Sequence, residues 1–134
     1  MPKISETIAA ARAIIADPAN WTQGTLARDA SGDPVTIRST TAVCFCADGA
    51  VALAAGVQLN VFGQWEKNDH YDETSQILRE AAEKMTTKRS YVNINDACVR
   101  IPSKTPHEAI LMCLDIGIDL AKSREELNME RVAP

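Results

Sequence analysis

A chain of 134 residues, 46% apolar and 24% charged, has the balance of a soluble globular protein with one core, which excludes a disordered chain. The formal charge of -4 and pI near 5.1 argue against non-specific binding to nucleic acid or to an anionic membrane. No run approaches membrane-spanning length, and Glu6 and Arg12 interrupt the N-terminal segment where a secretory signal would be apolar. The expectation is a cytoplasmic protein whose four cysteines are reduced thiols.

Ile4, Ile8, Ala11 and Ile15 recur at helical spacing and predict a first helix from near Ser5. Asp17-Pro18 ends it, because a residue before proline is pushed out of the α region. Leu26 and Val35 to Ile37 flank Asp29-Ala-Ser-Gly-Asp-Pro34, which is turn chemistry and predicts a short hairpin or extended loop. Thr40 or Thr41 reads as the cap of a second, alanine-rich helix that holds Cys44 and Cys46 and runs to about Val57. Residues 58–72 read as a loop or short helical turn. Asp72 then caps a third helix with the apolar stripe Ile77, Leu78, Ala81, Ala82 and Met85. Lys84, Lys88 and Arg89 after it read as a solvated helix end.

Alternation of β-branched and polar residues predicts a short strand near Tyr91 to Ile94. Thr105-Pro-His-Glu108 has the form of a capping box, with proline at the first helical position. It opens the most apolar helix, along Ile110, Leu111, Leu114, Ile118 and Ala121. The tail from Glu125 to Pro134 is polar and is expected to fray. The fold class predicted is mainly α, a single domain of about four main helices with a small β element and a core over about residues 5–122.

Three chemistries compete for the stretch Val43-Cys-Phe-Cys-Ala-Asp-Gly-Ala50. A structural zinc site shows two close cysteine pairs, whereas Cys44 and Cys46 form a single C-x-C and Cys98 and Cys113 stand apart; no metal and no cofactor are expected. A cysteine hydrolase needs a thiol, an imidazole and an orienting group, and Cys46, His107 or His70, and Asn95 or Asp96 offer those types, with Gln23 available to an oxyanion. The third reading is packing. A cysteine on the apolar face of a helix is a small buried hydrophobe, so Cys46→Ser is expected to be worse than Cys46→Ala. No phosphate loop, nucleophile elbow or zincin motif is present.

Two polar clusters have loop character, where binding residues concentrate. One comprises Trp21, Gln23, Arg28 and Asp29, the other Asn93, Asn95 and Asp96. Arg28 and Asp96 are expected to meet as an ion pair, with Gln23 and Asn95 satisfying what remains.

These residues resemble a family of small bacterial and phage proteins known as a domain of unknown function, with the motifs W-x-Q-G-x-x-A-R-D, C-A-x-G-A and N-D ahead of the last helix. The matching positions are Trp21, Gln23, Gly24, Ala27, Arg28, Asp29, Cys46, Ala47, Gly49, Ala50, Asn95 and Asp96. Phe45 and Ile94 stand where the pattern has tryptophan, and His107 is displaced by one position. The resemblance implies an architecture and a residue cluster without an activity. The function expected is a non-enzymatic binding or interaction module of bacterial or phage origin, binding through Trp21, Gln23, Arg28, Asp29, Cys46, Asn95 and Asp96. The alternative is a small cysteine-dependent hydrolase or transferase using Cys46. The partner expected is a protein or small molecule, not nucleic acid or membrane, and a homo-oligomer is left open.

Overall fold

A side chain that captures a free backbone N–H marks where most of the helices begin. The computed structural model describes residues 2–87 and 90–132, and it is mainly helical with one small antiparallel sheet. Helix α1 (Ile4–Ile15) starts where the Glu6 carboxylate turns back to the Lys3 N–H, and it stops short of Pro18. After a 3-10 turn (Pro18–Asn20), strand β1 (Ala27–Arg28) pairs antiparallel with β2 (Cys44–Phe45), Ala27 opposite Phe45 and Arg28 opposite Cys44. The turn expected between them exists. Asp29 Oδ1 accepts the N–H groups of Ser31 and Asp33, and the Val35 N–H returns to Ala27 O.

Helix α2 (Ala47–Ala55) starts later than Thr40 or Thr41. The residues before it are extended because their N–H groups pair across the sheet, Val43 to Arg28 O and Cys46 to Leu26 O. The cap is Cys46, whose Sγ accepts the Gly49 N–H at 3.3 Å. Helix α3 (Asp69–Met85) is capped by Asn68, whose Oδ1 accepts the Tyr71 N–H, rather than by Asp72; Asp72 lies in the first turn and pairs with Lys67. Tyr91 to Ile94 is helical, not a strand. Helix α4 (Tyr91–Asn95) is capped by Ser90, and Tyr91 and Ile94 are buried at helical spacing. Lys88 and Arg89 of the expected basic helix end lie outside the described residues.

Helix α5 (Pro106–Val132) opens with the predicted capping box: Glu108 N–H to Thr105 Oγ1 at 3.1 Å, and Thr105 N–H to Glu108 Oε1 at 3.0 Å. It continues past Glu125, where the sequence suggested fraying. Two side chains tie that part to the body: Arg124 pairs with Glu80, and Glu125 takes both the N–H and the Oγ–H of Ser5. Helices α1, α3 and α4 pack on α5, and α2 packs on α1 and α3. The core between them holds Ile8, Ile15, Val51, Leu78, Ile94, Ile110 and Leu114. Among the described residues, no helix is long and apolar enough to cross a membrane.

Candidate functional site

Asn95 is the last residue of α4 and is 1% exposed. A buried primary amide has two donors and a two-fold acceptor to satisfy. All four positions are filled. Oδ1 accepts the Trp21 indole N–H at 2.7 Å and the Ala47 N–H at 3.0 Å. Nδ2 donates to Thr22 O at 3.1 Å and to Asp96 Oδ1 at 2.9 Å. The Ala47 N–H is one of the free donors at the start of α2, so Asn95 caps that helix from outside while Cys46 caps it from within.

The neighbouring positions extend the knot. Gln23 Nε2 donates to Asn95 O at 2.9 Å, and Gly24 N–H donates to Asp96 Oδ1 at 3.0 Å. Arg28 joins from the other side. Its guanidinium donates to Thr22 Oγ1, Gln23 O and Gly32 O, which secures the 22–24 loop to the 29–34 turn. Asp29 shapes that turn and makes no contact with the knot among the described residues. The expected Arg28–Asp96 ion pair is absent among the described residues. Both groups hold the 22–24 loop instead, Arg28 through Thr22 Oγ1 and Gln23 O, Asp96 through the Gly24 N–H.

Cys46 is buried, and desolvation raises its thiol to about 11, opposed by the Gly49 N–H and reinforced by the carboxylates of Asp48 and Asp96. Because the folded protein favours the neutral thiol, this contribution to stability is complete below about 9 and is lost as pH rises toward about 11. Neither histidine hydrogen-bonds the sulfur among the described residues. His107 Nε2–H donates to Ile15 O at 2.7 Å and its ring packs against Trp21 at a tilt of 53°, centroids 5.1 Å apart, while His70 Nε2 bonds Thr7 Oγ1 at 2.7 Å. No group of three metal-ligating side chains occurs among the described residues.

The cap geometry reverses the substitution order expected from helix-face packing. Serine is a better N-cap than cysteine and offers the same acceptor to Gly49. Cys46→Ser is therefore expected to lie within about 1 kcal/mol of the native stability, and Cys46→Ala to lose about 1 kcal/mol by removing the acceptor. Urea unfolding of the two variants measures the order; a serine variant weaker than the alanine variant would restore the packing explanation.

Asp48, not singled out in the sequence, is the next polar centre. Both tyrosines of the chain donate to its Oδ1, Tyr71 and Tyr91 each at 2.5 Å, with Ser75 Oγ 3.4 Å from the Tyr91 hydroxyl. Burial raises Tyr71 to about 12, and the Asp48 charge adds to the shift; Tyr91 is raised for the same reasons. Both hydroxyls therefore remain donors. Asp48 and Asp96 line one cleft of about 190 Å³ together with Gly24, Thr25, Leu26, Cys46 and Val92. Their Oδ2 atoms have no hydrogen-bond partner among the described residues. The only local signal for Asp48 is its place between Ala47 and Gly49 in the C-A-x-G-A motif.

The fold and this knot define a class: a small helical domain whose tryptophan, amide and carboxylate positions lock a loop, a helix start and a helix end together. The chain belongs to a family of unknown function (DUF6197), which it matches over residues 1–115. No curated protein and no solved structure matches the chain.

Proposed function

We propose that this protein is a non-enzymatic binding module, of a bacterium or its phage as the sequence resemblance suggests, and that its cleft takes a cationic group. The observation that carries the reading is the pair Asp48 and Asp96. Each presents one carboxylate oxygen to protein donors and leaves the other without a hydrogen-bond partner among the described residues, and both line the same cleft. An ammonium or guanidinium supplies donors only and is the natural complement to two half-satisfied carboxylates. Of the residues expected to bind, Asp96 and Cys46 line the cleft, while Trp21, Gln23 and Asn95 hold its walls in place. Arg28 and Asp29 support the loop behind it. The cation belongs either to a small amine or to a lysine or arginine side chain of a partner protein.

The alternative, a hydrolase or transferase using Cys46, has less support. Its thiol is raised to about 11, its sulfur accepts the Gly49 N–H, and among the described residues neither imidazole hydrogen-bonds to it. A reactive cysteine needs the opposite environment, a lowered pKa and access.

Titration with methylguanidine and n-butylamine, followed by the backbone amide resonances, tests the reading. The signals of Gly24 and Asp48 are expected to move with both cations at millimolar concentration and not with butyrate. The double variant Asp48→Asn, Asp96→Asn is expected to lose the response while remaining folded. Silence toward both cations, or an equal response to butyrate, overturns the proposal.

A further inference from the structure

Of residues 58–72, expected to be a loop or short helical turn, 58–66 form a hairpin and Asp69 to Asp72 open α3. Leu59 bridges Trp65, Glu66 N–H reaches Gln58 O at 2.8 Å, and Asn60 N–H reaches Gln64 O at 2.8 Å. Asn60 staples the end. Its Oδ1 accepts the N–H groups of Phe62 and Gln64, and its Nδ2 donates to Gln64 Oε1. Trp65 anchors the base by edge-on packing against Tyr71 at 5.3 Å. Held at the end of this stapled turn, Val61 is 94% exposed and Phe62 83% exposed. The chain has two phenylalanines, and one is held in water on a preorganised support. Ordering the turn in advance removes part of the entropy cost of docking it.

Beside the tip lies a cavity of about 290 Å³, walled by Leu26, Val35, Thr36, Ile37 and Trp65, with Gly63 at its edge. The tip does not fill its own cavity, since Phe62 stays in solvent. We infer that two copies of the chain dock by exchange, the Val61–Phe62 tip of each seated in the cavity of the other.

Three observations select a second copy as the occupant. Tip and cavity adjoin through Gly63, so one two-fold axis beside the hairpin brings each tip to the other's cavity and closes the assembly. The eight residues from Gln58 to Trp65 carry no charge, and none of the described residues lining the cavity is charged. A protein of net charge -4 thus meets itself where like-charge repulsion is least. A standard interface buries roughly 800 Å² per partner; reciprocal exchange doubles what one tip in one cavity buries and adds the hairpin flanks.

Sedimentation of the full chain across the micromolar range tests this. The native protein is expected to show a concentration-dependent dimer. Phe62→Ser removes the tip and Thr36→Arg obstructs the cavity; both positions are exposed, so the fold is retained, and each variant alone is expected to be a monomer. An equimolar mixture of the two is expected to regain a weaker heterodimer, because Phe62 of the Thr36→Arg chain still meets an open cavity in the Phe62→Ser chain. A native protein that stays monomeric overturns the inference. So does a dimer that survives Phe62→Ser, or one lost in Phe62→Ser and kept in Thr36→Arg, which would pair tip with tip. Two monomeric variants that fail to associate when mixed also overturn the exchange.

Discussion

Asn95→Ala is expected to destabilise the domain by roughly 3–5 kcal/mol, a large fraction of the 5–15 kcal/mol that holds a domain of this kind folded. The deletion leaves the Trp21 indole N–H, the Ala47 N–H and the Thr22 carbonyl without partners at a position 1% exposed. Each such orphan costs on the order of 1–3 kcal/mol, and water entering the space recovers part of it. The loss also travels. Trp21 packs against His107, and Ala47 is the first residue of α2, so one amide fixes elements from three parts of the chain. Asn95→Asp is the sharper control. It keeps an acceptor for Trp21 and Ala47 but loses both donors and sets a second carboxylate against Asp96. It is expected to be destabilised as well, and to recover in part as the pH falls and the pair is protonated. Gln23→Ala removes one half-buried bond and is expected to lose about 1 kcal/mol. Urea unfolding of the three variants checks the order. An Asn95→Ala variant within 1 kcal/mol of native would show that the knot makes little net contribution.

Much of the architecture was legible because its signals are local. The capping box at Thr105, the proline stop after α1 and the Asp29 turn depend on a few neighbouring residues, and each is found as read. The errors share a cause. Alanine content in the 42–55 stretch favours helix, but backbone pairing with Leu26 and Arg28 holds Val43 to Phe45 extended, and that pairing is a long-range fact. At Tyr91 to Ile94 the alternation looked like a strand, yet Ser90 and the three-residue spacing of Tyr91 and Ile94 carried the helical signal. Gln23, Arg28, Asn95 and Asp96, expected to act together, all bond to the 22–24 loop or to one another, but not in the expected pairing. Arg28 was assigned to a carboxylate on charge grounds, and its guanidinium found three oxygens of the backbone and of Thr22 instead. The two tyrosines on Asp48 come from helices far apart in sequence, and nothing local announces their meeting.

Gly49→Ala is expected to be the most damaging single-methyl addition among the helical glycines, at roughly 2–4 kcal/mol. A β-carbon there would overlap the carbonyl oxygen of Leu26 and lie 3.1 Å from its carbonyl carbon and 3.5 Å from Ile37 Cγ2. The obstruction is backbone, so no rotamer change relieves it. The same carbonyl accepts the Cys46 N–H, and pushing it away loosens the strand pairing and the start of α2 together. The helix propensity gained by replacing glycine, about 1 kcal/mol, offsets only part of this. Gly117→Ala in α5 supplies the comparison. Its β-carbon would meet Leu78 Cδ2 at 2.7 Å and Ile8 Cδ1 at 3.4 Å, which are side-chain ends rather than backbone. Leu78 is fully buried, so its adjustment is limited, but the same propensity gain applies, and a net change within about 1 kcal/mol is expected. Thermal and urea unfolding of the two variants gives the difference directly. If Gly117→Ala proves as damaging as Gly49→Ala, the approach of the Leu26 carbonyl to α2 is not what limits the size of residue 49. If Gly49→Ala alone collapses, that approach is rigid, and the glycine of the C-A-x-G-A motif is there to let the carbonyl of Leu26, just before β1, rest on a helix.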